Sequence, residues 1–487
     1  MTTTTADQAS PRPMAGAAAE PPPEKVAHPP VAERAARGRG VRTSCPRQVH
    51  TAAAIEARDP VALLEANAPA RIEELAPIRY GRMLTSPFAF YRGAAAIMAH
   101  DLAPLPRTGL RVQLCGDAHL ANFGGFASPE RDFVFDLNDF DETLPGPFEW
   151  DVKRLAASFE IAGRNRGFTE AERTAGVLAA TRSYRTAMRE FAPMSNLAVW
   201  YSHLSASDIE AKLMAEHDTK RLKALARATE KARTHDHVRA FHKLTHVVDG
   251  IPKIVSDPPL IVPVDDLLTG FDDRGALVDV VRSILRGYRR TLQKDRRWLL
   301  EQFSYVDLAR KVVGVGSVGT RCWVVLMLGR DADDPLFLQI KEAEDSVLEP
   351  YLGRSKFQNR GQRVVEGQRL MQASSDIFLG WHRTTGLDSH QRDYYCRQLW
   401  DWKSSVDLEA ILPRGLVLYA ESCGWTLARA HARSGDRIAI AEYLGKGDAF
   451  DRALAQFASV YADQNERDYE ALRTAAASGR IKVEEGL

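Results

Sequence analysis

Residues 111–142 constrain this chain more than any other stretch. Arg111-Val112-Gln113-Leu114-Cys115 reads as a short strand, and Gly116-Asp117 ends it in a turn. Asn122 follows the aspartate five residues later. Phe133-Val134-Phe135 reads as another strand, and five carboxylates crowd residues 132–142. Acids at that density repel one another unless a cation sits among them. A fold is therefore expected that gathers Asp117, Asn122 and the acidic turn around one divalent ion.

An aspartate, an asparagine five residues on and a strand-borne acidic cluster form the arrangement with which kinase-type enzymes position a hydroxyl and hold magnesium. In that chemistry Asp117 accepts or orients the acceptor hydroxyl's proton, and Asn122 coordinates a second magnesium ion. The main metal ligand is expected at Asp139, since Asp139-Phe140-Asp141 resembles the kinase D-F-G. Asp136, at the end of the strand, is the alternative or a second ligand. His119 either orders the turn or joins the catalytic set. Asp151, just inside a helix start, is expected to brace the turn, and Cys115 to be a small buried residue.

The elements that would bind a nucleotide come some two hundred residues later. Residues 308–313 read as a strand, followed by Gly314-Val315-Gly316-Ser317-Val318-Gly319 and the strand Cys322-Trp323-Val324-Val325-Leu326-Met327. A lone G-x-G-x-x-G is a weak signal. Here the glycines open a strand and not a helix, which favours a hairpin covering phosphates over a dinucleotide fold. Leu336-Phe337-Leu338-Gln339-Ile340-Lys341 is a third strand ending in the lysine expected to grip the α- and β-phosphates. Gly314, Gly316, Gly319 and Lys341 are thus the nucleotide-binding candidates. Glu366, in the helical stretch 362–371, is the chosen carboxylate partner for Lys341, with Glu344 and Glu349 competing. Tyr394-Tyr395-Cys396-Arg397-Gln398-Leu399-Trp400 reads as the strand before a hinge.

Several long strings resemble one bacterial family, domain of unknown function 2252. They are Gly-Asp-Ala-His-Leu-x-Asn-Phe-Gly at 116–124, Asp-Leu-Asn-Asp-Phe-Asp-Glu at 136–142 and Trp-Asp-Val-Lys-Arg-Leu-Ala-Ala-Ser at 150–158. Ile78-Arg79-Tyr80-Gly81-Arg82-Met83 and Pro87-Phe88-Ala89-Phe90-Tyr91-Arg92-Gly93 belong to the same set. The similarity covers roughly residues 46–470. It implies membership of the protein-kinase-like superfamily, whose aminoglycoside and choline phosphotransferases carry a similar H-G-D-x-H-x-x-N signature. Gly116, Asp117, His119 and Asn122 match it, while Cys115 stands where its first histidine would be.

The order of these elements implies an α+β, bilobal, kinase-like fold that is circularly permuted, with a helix-rich large lobe and a small antiparallel β lobe. Residues 1–45 read as a disordered Pro/Ala-rich tail, 46–304 as the catalytic lobe, 305–403 as the nucleotide-binding lobe with its glycine loop and hinge, and 404–487 as a helical return. Helices are expected after Ser86-Pro87 through Leu102, over 277–303 and over 416–431. The function expected is ATP- and magnesium-dependent phosphotransfer to a small-molecule hydroxyl, with the helical insertion between 160 and 300 enclosing the acceptor. A protein substrate stays open. AMP transfer, a nucleotide-binding pseudokinase and a metal-dependent hydrolase are the alternatives.

Composition narrows the partners. A net charge of +1 over 487 residues gives no broad attraction to nucleic acid or acidic membranes. No apolar run approaches the ~18 residues of a membrane span. Five widely spaced cysteines without a C-x-x-C pair fit a reduced cytoplasmic setting.

Overall fold

Capping chemistry sets the helices that carry the site. Ser86 accepts the Ala89 amide through Oγ (3.0 Å) and Pro87 takes the first helical position, so Pro87–Gly93 begins where the sequence predicts. Its continuation is broken at Ala94, and a separate helix covers Ala95–Leu102. Thr169 and Glu172 close a capping box on Glu170–Phe191. The single helix expected over 277–303 is divided into Arg274–Tyr288 and Lys294–Leu300. These features come from a computed structural model that describes residues 27–52, 58–66, 71–215, 226–227, 229–230, 237–267, 274–312, 314–316, 318–386, 389–399 and 402–486.

The fold is mixed α+β. Helices Glu149–Asn165, Glu170–Phe191, Pro413–Ser434 and Ala449–Ala477 enclose one large apolar cluster that includes Phe148, Leu155, Tyr184, Leu427 and Phe457. Four short strands lie in this body: β1 (Arg111–Leu114), β2 (Phe123–Ala127), β3 (Phe133–Leu137) and β4 (Leu144–Pro147). They form two antiparallel pairs, β1 with β4 and β2 with β3. The helix Pro413–Ser434 returns beside β1, where Ser434 Oγ accepts the Gln113 amide at 3.1 Å.

A hairpin, β5 (Thr245–Val248) and β6 (Ile251–Ile254), precedes the main sheet. That sheet comprises β7 (Ile261–Pro263), β8 (Ser304–Lys311), β9 (Cys322–Leu328), β10 (Pro335–Ala343), β11 (Gly380–Thr385) and β12 (Gln391–Gln398). It is antiparallel throughout, in the order β11-β12-β10-β9-β8-β7. The helix Arg360–Met371 joins β10 to β11 and packs on β11 and β12. All nine residues of β10 are buried because both faces of the strand are covered. Tyr288 and Phe378 belong to the cluster on one face, Ala240, Leu244 and Ile254 to the cluster on the other. Residues 237–254 of the long insertion therefore cover one face of the sheet.

The tail expected over 1–45 needs correction. Val31–Ser44 is a helix lying along Arg437–Leu444, while residues 1–26 fall outside the described residues. Docking uses little apolar surface, which is why hydrophobic periodicity misses it. Arg34 reaches Asp436 (2.9 Å), and Arg42 and Arg47 donate to the carbonyls of Tyr443 (3.0 Å) and Leu444 (2.7 Å). Cations at those last carbonyls also favour the helix dipole. Gly38 brings the two backbones together, since a Cβ there would collide with the carbonyl of Ala439.

No described helix is long and apolar enough to cross a membrane. All five cysteines are buried free thiols.

Two outcomes follow from this packing. Gly38→Ala should gain ~0.5–1 kcal/mol of helix propensity but lose ~1–3 kcal/mol to overpacking, a net destabilisation in urea titration. His50, buried against Phe450 and 2.7 Å from Tyr443 Oη, is held down to about 3 by burial and then by Lys153. Its folded value lies below the ordinary 6.5, so its contribution is complete above that pH and is lost on acidification toward 3. The unfolding free energy should therefore fall ~1.4 kcal/mol per pH unit less steeply in His50→Gln than in the wild type between pH 6 and 4.

Candidate functional site

The turn after β1 can only be built with glycine at position 116. Gly116 has φ +84° and a Cβ on it would strike the carbonyl of Glu142. Asp151, in the first turn of Glu149–Asn165, accepts the amides of Cys115 (2.8 Å) and Gly116 (3.1 Å), the bracing role its position predicts. His431 Nε2 lies 3.2 Å from the same carboxylate. One and two turns on, the same helix face supplies Arg154 and Ser158. Arg154 pairs with Asp117 at 2.8 Å, and Ser158 Oγ accepts the Leu120 amide at 3.0 Å. Asn122 closes the turn by donating Nδ2 to the Asp117 carbonyl at 2.8 Å.

The side chain of Asp117 is held between opposing influences. Burial raises its pKa above the ordinary carboxylate value, and Arg154 works against that shift. His119 Nε2 is 3.7 Å away. Burial, then Arg154 and Arg92, lowers His119 well below the usual imidazole range, so the ring is neutral. Its Nδ1 is buried without a hydrogen-bond partner.

The acidic turn is tied to Asn122 by the Asn138 amide, which donates to the Asn122 carbonyl at 3.0 Å. Asp139 Oδ1 accepts the Asp141 amide at 3.2 Å, and burial followed by the neighbouring Asp141 raises the Asp139 carboxyl. Asp141 pairs directly with the Lys341 ammonium, and Tyr395 Oη donates to its other oxygen at 2.7 Å. Burial opposes the charge on Asp141, but Lys341 keeps the carboxyl below its ordinary value. Lys341 itself is 2% exposed and raised in pKa: burial works against it and Asp141 prevails. Arg363 pins the junction by donating to the carbonyls of Asp141, Thr143 and Glu344 at 2.7–2.8 Å.

A polar cavity of about 140 Å³ lies over these groups. Asp117, His119, Asn122, Asp139 and Asp141 line it from the early segment, and Gly314 and Gly316 from the late one. A larger, more apolar cleft of about 340 Å³ lies beyond Asn138, lined among others by Phe126, Phe303, Leu336 and Arg397.

Lys341 is not on the cavity lining and meets it only through Asp141, and three further candidates are placed elsewhere. Gly319 is not on the polar cavity; its carbonyl accepts the Ile72 amide at 2.7 Å. Glu366 faces Arg369 at 3.5 Å near the surface, and the carboxylate that meets Lys341 is Asp141. Asp136 is buried away from the cavity, paired with Arg429 and accepting the amides of Leu137 (2.8 Å) and Ala373 (3.1 Å). That network joins β3 to the helices Arg360–Met371 and Pro413–Ser434, a structural use of the carboxylate. Trp400, at the expected hinge, and Val313 and Ser317 lie outside the described residues. Arg154 and Asp141 went unassigned in the sequence; the i, i+3, i+7 spacing of Asp151, Arg154 and Ser158 is a signal that could have found the first.

Oxygen donors of this kind suit magnesium. Asp139 and the Oδ1 of Asn122 are hard ligands, and magnesium is commonly held by one or two carboxylates plus substrate phosphates. Among the described residues no three His, Cys, Asp or Glu side chains converge as a protein-only cage. The donor set thus fits an ion completed by a phosphate ligand.

The Lys341–Asp141 pair yields a direct test. Lys341→Met leaves Asp141 partly buried and unpaired, and should cost ~3 kcal/mol in chemical denaturation; Lys341→Met/Asp141→Asn should recover at least ~1 kcal/mol of it. Additive losses in the double variant would mean the two side chains do not act as a pair.

Among curated proteins and among solved structures, no match to this chain was found. A family model described as an uncharacterized protein conserved in bacteria matches residues 71–475, which include the turn carrying Asp117, the acidic turn, the glycine loop and Lys341. The chain belongs to that bacterial family, domain of unknown function 2252.

Proposed function

We propose that this protein is an ATP- and magnesium-dependent phosphotransferase with a circularly permuted kinase-like arrangement, acting on a small-molecule hydroxyl. The observation that carries the reading is the pairing of Lys341, itself behind the cavity wall, with Asp141, which lines one cavity together with Asp117, Asn122, Asp139, Gly314 and Gly316. The order of the late elements supports it. β8, the glycine loop, β9 and the lysine strand β10 are followed by the helix Arg360–Met371 and by β11 and β12, with β12 beside β10. That is the succession expected of a kinase small lobe. Here Asp141 takes the place at Lys341 that a helix glutamate takes in protein kinases.

Each residue has a task in this reading. Lys341, fixed by Asp141 and Tyr395, presents a buried positive charge to the nucleotide's phosphates. Backbone amides around Gly314 and Gly316 approach the phosphates where a side chain would obstruct them. Asp139 and Asn122 would hold magnesium, which would supply charge neutralisation at the phosphates. Asp117, paired with Arg154, orients the acceptor hydroxyl and takes its proton.

Calorimetry and thermal shift should register binding of Mg·ATP to the full chain, with ADP formation as the turnover readout. Asp117→Asn should retain binding and lose turnover, and Lys341→Ala should lower kcat/KM by ~10²-fold or more. AMP and pyrophosphate as products would identify nucleotidyl transfer instead. Binding without turnover in the wild type would point to a regulatory pseudokinase. A well-folded protein that binds no nucleotide, or a harmless Lys341→Ala, would contradict the proposal.

A further inference from the structure

Three arginines enter the polar cavity from the segment that precedes the catalytic turn, and the roles above leave them without a task. Arg71, Arg79 and Arg92 line it beside Asp117, Glu344 and Gly316. Arg79 is 4% exposed, and its terminal NH2 group donates to the Gly93 carbonyl at a long 3.3 Å. The Nε atoms of all three are buried without a hydrogen-bond partner. Burial and then Arg71 pull the Arg79 guanidinium down to about 9. Burial also lowers Arg92, with Asp117 acting against it. A buried donor left unmade costs ~1–3 kcal/mol, more when it is charged. Three guanidinium groups lining one polar cavity supply the donors that an anionic ligand needs.

The surrounding carboxylates are largely spoken for. Asp117 is paired with Arg154, Asp141 with Lys341, Glu342 with Arg321 and Arg392, and Asp345 with Arg360. Asp139, Glu142 and Glu344 are left to face the three arginines, and a magnesium ion on Asp139 would tip the balance positive. The glycine loop closes over the cluster. Arg71 NH1 donates to the carbonyls of Gly316 (2.8 Å) and Val318 (2.6 Å), and Arg82 NH1 to that of Gly314 (2.6 Å). A Cβ on Gly316 would stand 3.5 Å from the Arg92 carbonyl. The cluster therefore lies between the loop that covers phosphates and the aspartate that receives the acceptor.

We propose that Arg79 and Arg92, with Arg71 holding the loop over them, bind the oxygens of the phosphoryl group in transit. This rests on the phosphotransferase reading. As the acceptor oxygen forms its bond to phosphorus, the bond to the nucleotide's bridging oxygen breaks. The hydroxyl proton passes to Asp117 and the electron pair departs on the nucleoside diphosphate. Planar guanidinium forks match the equatorial oxygens of that group, which carry its charge. An arginine supplied for this purpose is worth about 10³–10⁵ in rate in nucleotide-hydrolysing enzymes.

Titration calorimetry on the full chain compares Mg·ADP with a magnesium-bound, non-hydrolysable ATP analogue, for the wild type, Arg92→Gln, Arg92→Lys and Arg79→Gln. Thermal melts of the unliganded variants show which are folded. The expected result is at least a tenfold loss of analogue affinity in the Gln variants, ADP affinity within about twofold of wild type and an intermediate loss in Arg92→Lys. Unchanged analogue affinity in folded Arg92→Gln overturns the proposal. So does a pattern in which only inorganic phosphate bound to the Mg·ADP complex is lost, because that assigns the arginines to an acceptor's anion. Sodium tripolyphosphate with magnesium separates this inference from the reading beneath it. If the wild type binds tripolyphosphate but no nucleotide, and Arg92→Gln loses it, the oxyanion site stands while the ATP reading falls. If neither ligand binds the wild type, both fall.

Discussion

The ion pair between Lys341 and Asp141 joins side chains 200 residues apart and ties the acidic turn that lines the candidate site to the main sheet. Each partner explains the other's burial. An unpaired ammonium in the middle of β10 would be expelled or neutralised, and a second carboxylate beside Asp139 would repel it. Together, with Tyr395 Oη closing the remaining oxygen, they let a nine-residue buried strand carry a lysine inside the fold. The helix Arg360–Met371 contributes through Arg363, whose donors fix the backbone on both sides of the pair. Sheet, helix and acidic turn meet at one point.

The turn that carries Asp117 is held with equal redundancy but from the opposite side. Asp151, Arg154 and Ser158 form a stripe on one helix that serves three successive parts of the turn: its amides, its aspartate and its far end. Tyr419, from the helix that follows the sheet in the chain, donates to the carbonyls of Leu120 and Phe123 at 2.7 and 3.1 Å. Segments before and after the sheet therefore grip the same ten residues.

Much of this was legible where the signal is local. Ser86-Pro87 marks a helix start, Gly116-Asp117 a forced turn, and the run from Leu336 to the lysine a buried strand; each rests on propensity or sterics within a few residues. The helix Val31–Ser44 was not legible, since arginines reaching backbone carbonyls and a glycine contact leave no apolar stripe. The partner of Lys341 was not legible either. A helix carboxylate was the natural guess, and the choice of Asp141 depends on a contact across 200 residues. Asp136 illustrates the reverse error. Its place at a strand end resembles a metal ligand, but only the fold brings Arg429 to it and turns it into a buried tie. The four-residue strands β5 and β6 also escape periodicity, because they are too brief to show a period of two.

The most direct test of the account is a crystal structure grown with manganese and a non-hydrolysable ATP analogue. The account predicts an anomalous peak ~2.1 Å from an Asp139 oxygen, bridged to the analogue's phosphates, with Lys341 within hydrogen-bond reach of those phosphates. Analogue density outside the cavity bounded by Asp117 and Gly316, or a metal held without Asp139, would contradict it.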